Sequence, residues 1–216
     1  MSNFNESAGK TLRHSRGDVL AAAMNILDEY GLPDLTMRRL AATLDVQPSA
    51  LYWHFVNKQT LLATIADEII DRAREVPADL SWKSATRAEA EALRDALLAF
   101  RDGAEVVSST LALGLGANQA QGRLARALQL GDFEPATAET AAAAILHLIL
   151  GQVWHEQQRI QADSLGVVSG DATATPEQVS NGLPSNQAFE LGITLLLEGL
   201  EQLANTRNNL GTVKLD

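Results

Sequence analysis

The chain has 216 residues, of which 46% are hydrophobic and 20% charged, with a net charge of -10 and no cysteine. That much apolar material excludes disorder as the dominant state, and the missing cysteines exclude a disulfide scaffold, thiolate metal sites and a cysteine nucleophile. Charge is unevenly spread: residues 1–60 balance six basic groups against six acidic ones, so the remainder supplies the whole -10 and the chain divides into an anion-tolerant head and an acidic body.

Residues 1–15 lack the continuous apolar core of a secretion signal. From there the periodicity is helical nearly throughout, with no alternating strand pattern and no internal repeat, which predicts an all-α fold. Over 18–30 the apolar residues Val19, Leu20, Ala23, Met24, Leu27 and Tyr30 recur at three- and four-residue spacings. Ser15 and Asp18 make a capping pair before this run, and Gly31 is a natural stop after it. Thr36 precedes a short pattern with Leu40, Ala41 and Leu44 on one face. Pro48 opens another helix, a position that proline tolerates well. Asn57 begins a longer one through Leu61, Ile65 and Ile69 to about Arg74.

Residues 77–83 read as a connection. A helix over about 85–101 is expected to stop at Gly103, with Gly114 and Gly116 punctuating the chain beyond it. Further helices are expected over 117–130 and, after Glu134-Pro135, over 135–161. Within the latter the uncharged stretch 140–155 falls short of the ~20 residues a membrane span needs. The segment 163–185, rich in Gly, Ser, Thr, Asn and Pro, reads as a flexible loop before a last amphipathic helix over 186–204. A soluble cytoplasmic protein without membrane contact is expected.

The stretch Leu35 to Lys58, LTMRRLAATLDVQPSALYWHFVNK, carries a mechanism. Two short helices separated by residues 45–47, with Leu40, Leu44, Val46 and Leu51 to pack the corner, make a helix-turn-helix whose second helix can lie in the major groove. Arg38 can offer its planar fork to guanine O6 and N7, and Arg39 can meet phosphate. Tyr52 and His54 can hydrogen-bond phosphate oxygens, and Lys58 opens the next helix, where free N–H groups also favour an anion. A buried helical hairpin with a solvated charged face would satisfy the same spacing.

The run from about Arg16 to Leu62, with YGLPDLTMRRLA, ALYWHF and the closing NK-x-x-LL, resembles the DNA-binding domain of the tetracycline-repressor (TetR) family of bacterial transcription regulators. The resemblance implies that Thr36 contacts phosphate and that Met37 and Arg38 sit near base edges. It places Gln47, Pro48, Ser49 and Ala50 at the entry of the recognition helix, Tyr52 and His54 on its phosphate side, and Lys58 at the backbone. Lys10, Arg13, His14 and Arg16 form a basic lead-in. Asp45 stands where the family commonly has glycine; aspartate tolerates the left-handed conformation such a turn needs.

Trp82, LLAFRDGAEV, LHLILGQVWHEQQ and FELGITLLLEGLE resemble the sensor domain of the tetracycline repressors themselves. The resemblance implies an N-terminal three-helix DNA-binding domain over 1–60 and a larger helical ligand-binding and dimerisation domain over 61–216. The dimer bundle would use 135–161 and 186–204, with Ala141 to Ala144, Gly151, Gly192 and Leu195 to Leu197 as members. Val107 stands where the tetracycline repressors place a metal-binding histidine, Arg74 where they place a drug-contacting histidine, and Glu89 where an asparagine grips the drug. An effector other than tetracycline is therefore expected, in a mostly apolar pocket lined by Leu93, Leu97, Phe100, Val107, Leu111, Leu128, His147, Val153, Trp154 and His155. No metal is expected, since His147 and His155 lie eight residues apart with no supporting cluster. No nucleophile elbow or phosphate loop is present, so neither catalytic residues nor a cofactor is expected. The expected function is that of a dimeric regulator that binds a palindromic double-stranded operator, represses, and is released by a small effector. A helical small-molecule-binding protein or enzyme without specific DNA binding is the alternative.

Overall fold

Ser15 starts the fold. Its hydroxyl accepts from the Asp18 amide at 3.1 Å while its own amide donates to the Asp18 carboxylate at 2.7 Å, a reciprocal box that satisfies two orphan donors and launches α1 (Arg16–Tyr30). The Ser15 amide, and the Ser15 hydroxyl donating to the same carboxylate at 2.8 Å, hold the Asp18 carboxyl below its ordinary value. The computed structural model describes residues 14–164 and 184–212; Lys10, Arg13 and most of the expected 163–185 loop lie outside them.

Gly31, at φ 87, closes α1. A side chain there would also place its Cβ 2.8 Å from the Asp102 carboxylate, so glycine is required twice over. The next helix, α2 (Met37–Thr43), is capped by Thr36, whose hydroxyl accepts from the Arg39 amide at 3.1 Å. Asp45 takes the left-handed conformation at φ 52. Its amide then donates to Ala42 O at 3.2 Å and the Val46 amide to Ala41 O at 3.0 Å, the paired bonds of a Schellman stop. Helix α3 (Pro48–Leu51) follows with proline in its first turn. Asn57, boxed with Thr60, then starts α4 (Lys58–Asp71). Val19, Ala23, Leu27, Leu35, Leu40, Leu51, Phe55, Leu61 and Ile65 are buried and close the head around these helices.

The body comprises α5 (Trp82–Leu98), α6 (Gly103–Ala112), α7 (Asn118–Leu128), α8 (Pro135–Ser164) and α9 (Ser185–Thr212). Ser81 caps α5, so this helix begins three residues before the expected start. Gly103 is not a simple stop: it opens α6, a helix that the glycine spacing did not predict. A Cβ at Gly103 would lie 2.4 Å from Leu97 O, and only a glycine fits that corner. Gln157 of α8 secures it from below. Its Nε2 donates to Leu97 O at 3.0 Å and to Phe100 O at 2.8 Å, and its Oε1 accepts from the Ala104 amide at 3.2 Å. Asp102, buried and left-handed at φ 57, accepts from the Leu32 amide at 2.8 Å and from the Gln161 side chain, joining head, corner and α8.

No strand occurs among the described residues. Helix α8 is long and apolar enough to cross a membrane by length and composition, but 44% of its apolar window is buried inside the protein. The division expected at residue 60 falls inside α4, which packs against α1 in the head and α5, α6 and α7 in the body.

Candidate nucleic-acid interface

Helices α2 and α3 pack inward through Leu40, Ala41 and Leu51, so the residues between them turn outward. Thr36, Arg38, Gln47, Pro48, Ser49 and Tyr52 are exposed, while Met37, Ala50, His54 and Lys58 are half-buried. The Thr36 hydroxyl spends its oxygen on the Arg39 amide and keeps its hydrogen to donate. Lys58 occupies the first turn of α4, where helix N–H groups and the helix dipole add to its own charge. None of the ten sequence-predicted DNA-contacting residues is buried in the head.

The neighbouring arginines separate in role. Arg39 pairs with the Asp34 carboxylate at 2.5 Å and lies 3.6 Å over the Tyr30 ring, bracing α2 against the end of α1. Glu29, by accepting from the Tyr30 hydroxyl and repelling the phenolate, raises that hydroxyl above its ordinary value. Arg39, expected to meet phosphate, is thus engaged inside the head through one terminal nitrogen and its ring contact, and Arg38 presents an exposed guanidinium on α2. Arg16 likewise stacks 4.6 Å from the Phe55 ring and donates to the Thr64 hydroxyl at 2.9 Å, tying α1 to α4. His14 meets Leu44 O at 2.9 Å and steadies the α2–α3 turn.

Trp53 was missed by the sequence reading. It is 90% exposed beside Tyr52 and Val56. The signal was present: Leu51 and Phe55, four residues apart, point inward, which sends the residue midway between them outward.

In the body, Leu93, Leu97, Val107, Leu128 and Val153 are fully buried, Phe100 nearly so and Leu111 partly. They belong to the continuous core that runs through head and body alike, with Leu111 packed against it, so their burial does not mark out a separate pocket. His147, Trp154 and His155 are instead on the exposed side of α8, with the Trp154 and His155 rings edge-on at 5.0 Å. A cleft of about 280 Å³ between the end of α5 and the end of α8 is lined by Leu98, Phe100, Arg101, Gln157, Ile160 and Gln161, and shares only Phe100 with the predicted set. Glu89 and Arg123 form an ion pair at 2.7 Å with both side chains about 15% exposed. Among the described residues no three His, Asp or Glu side chains converge as metal ligands.

Comparison with known proteins agrees with this layout. Residues 19–65 match the profile of bacterial regulatory proteins of the tetR family, and residues 76–204 match the tetracyclin repressor-like C-terminal domain. The chain is 33% identical over 212 residues to the tetracycline repressor protein class C of Escherichia coli, covering 92% of this chain and 96% of that one. The crystal structure of Mycobacterium smegmatis BioQ superposes with a TM-score of 0.76 at 41% identity, over 87% of this chain and 97% of BioQ. BioQ in complex with its double-stranded DNA operator gives 0.71 at 39%, over 87% and 98%. An exposed helix-turn-helix on a helical body, with both halves matched in order, makes this chain a member of the tetR family of bacterial regulatory proteins, a ligand-responsive DNA-binding transcriptional regulator.

Proposed function

We propose that the protein acts in the cytoplasm as a homodimeric repressor, gripping a palindromic operator with two heads and letting go when a small effector enters the body. The observation that carries the DNA half is the set of solvent-accessible residues from the start of α2 to the start of α4: Arg38 for a base edge, Thr36, Tyr52, His54 and Lys58 for phosphates, Gln47, Pro48, Ser49 and Ala50 at the groove. Met37 lies beside Arg38, and Trp53 adds a large exposed ring. No catalytic step, cofactor or membrane is part of this reading.

The dimer half is supported by an apolar stripe that one chain leaves uncovered. On α8, Ala144, His147, Gly151 and Trp154 face outward, and on α9 Leu191, Leu195, Gly199 and Leu203 do the same, with Leu195 and Leu203 each 65% exposed. Small and apolar residues at helical spacing suit close helix packing. Ala141, Ala142 and Leu197, expected in the dimer bundle, serve the core of the single chain. On a two-fold axis through α8 and α9 the recognition helices would address half-sites one helical turn apart, about 34–36 Å.

The effector would be small and mostly apolar, seated among Leu93, Leu97, Phe100, Val107, Leu111, Leu128 and Val153; His147, Trp154 and His155 can reach it only if α8 turns or the partner covers them. Tetracycline suits the site poorly, because Glu89 is already engaged by Arg123. The effector releases DNA only to the extent that it binds the non-DNA-bound geometry better. Selecting operators from random duplex DNA with the purified protein tests the proposal. A two-fold symmetric site is expected; no enrichment with folded protein would overturn it in favour of a helical binding protein.

A further inference from the structure

Helix α4 joins the DNA-facing head to the body, and α7 holds it through two charges placed in opposite senses. Ala117, just before α7, stands at φ 59 and offers no capping oxygen. The Asp67 carboxylate of α4 supplies one, accepting from the Ala117 amide at 2.7 Å. Six residues further along α7, Arg123 reaches back to the chain just beyond the end of α4. Its Nη1 donates to Ala73 O at 3.1 Å and its Nη2 to Arg74 O at 2.6 Å. A carboxylate thus sits at the positive end of α7, complementing its dipole, and a guanidinium holds the chain as it leaves α4.

Two further contacts keep this exchange in register. Glu89 of α5 accepts from Arg123 Nε at 2.7 Å, fixing the plane of the guanidinium. Gly116 lies so close to α4 that a Cβ there would stand 2.8 Å from Ala63 O. Asp67 is nine residues from Lys58, roughly 14 Å along the helix, so neither charged residue touches DNA at the head.

The geometry points to Asp67 and Arg123 as positioning residues through which α7 sets the angle of α4 and hence the presentation of the recognition helix. This rests on the regulator reading above. The head meets the body through α4 and through the Leu32 amide on Asp102, and Asp67 and Arg123 are the hydrogen-bonded links from α4 and its exit to α7. Displacement of α7, by whatever ligand, is felt at Lys58.

Full-length Asp67→Ala and Arg123→Gln test this, compared with the unmodified protein by amide hydrogen exchange and by titration of the selected operator duplex. Residues 66–74 are expected to exchange faster in both while residues 16–55 retain their protection, and operator affinity is expected to fall about tenfold. Asp67→Asn, which keeps an oxygen for the Ala117 amide, is expected to recover most of that affinity. Unchanged affinity in both variants overturns the inference. So does loss of protection across residues 16–55, or an equal defect in Asp67→Asn and Asp67→Ala. Should Arg123→Gln fail to fold, Arg123→Lys, which retains the charge at the end of α4, is read by the same two measurements. If the unmodified protein selects no operator, the regulator reading fails by itself, and the exchange contrast between residues 66–74 and 16–55 still decides the role of the pair.

Discussion

Arg38 and Arg39 are adjacent in sequence and opposite in fate. Arg39 is consumed by Asp34 and Tyr30, whereas Arg38 is exposed and presents its fork outward. The first turn of α3, Pro48-Ser49-Ala50, offers one hydroxyl and small apolar contacts, so the proposed base readout leans on Arg38. Arg38→Ala is expected to cost about 1–3 kcal/mol of operator binding and to relax preference at one guanine per half-site, read by competition with base-substituted operators. Unaltered base preference would remove Arg38 from the groove. Asp45 makes a second residue-scale case. At φ 52 its backbone favours glycine, yet its short polar side chain tolerates the conformation. Asp45→Ala should lower stability by about 1 kcal/mol in urea unfolding, with Asp45→Gly changing it by less than half of that.

At the scale of the element, legibility followed the origin of each boundary. The starts of α1, α2 and α4 were readable because Ser15, Thr36 and Asn57 carry the capping oxygen themselves. Gly103 was misread because a glycine that ends a helix and a glycine that fits a corner look alike in sequence; only the Leu97 carbonyl pressed against it tells them apart. Helix α8 hid its orientation for another reason. Its alanine-rich repeat has apolar residues on all sides, so periodicity could not show that His147, Trp154 and His155 face outward while Ala142, Ile145, Ile149 and Val153 face the core. Gln157, on that same helix, was invisible as a structural residue although it satisfies three backbone groups of the α5–α6 corner. Gln157→Leu would strand Leu97 O, Phe100 O and the Ala104 amide. A loss of about 3 kcal/mol is expected in chemical unfolding, and a loss under about 1 kcal/mol would mean that the corner relaxes to find other partners.

For the whole molecule, the charge asymmetry and the uncovered stripe belong to one design. The acidic body repels DNA and leaves the approach to the near-neutral head, while α8 and α9 keep an apolar face clear of the ion pairs that bind α9 inward. Those pairs are specific: Lys83 meets Glu198 at 2.8 Å and Glu201 at 2.7 Å, and Arg87 meets Glu190 at 2.6 Å. The glutamates hold the Lys83 ammonium above its ordinary value, so this tether persists at neutral pH and is lost as the pH rises through that raised value. Leu195→Glu places a charge in the middle of the outward stripe without touching the inward pairs. Sedimentation is expected to report a monomer with an intact helical signal, and operator binding should fall because each head must then bind alone. A variant that still sediments as a dimer would move the subunit contact elsewhere.

The three tryptophans stand in three different surroundings. Trp53 projects from the head almost wholly into water, Trp82 is half-buried and packs edge-on to Phe133 at 4.9 Å against the body, and Trp154 lies on the outer face of α8. Unlabelled protein is therefore its own optical probe. Operator should quench the red-emitting fluorescence of Trp53, dilution should shift Trp154 to longer wavelength, and Trp82 should change only when the body itself rearranges. Single tryptophan-to-phenylalanine replacements would separate the three signals, so that DNA engagement, subunit dissociation and effector entry could be followed in one sample by emitted light.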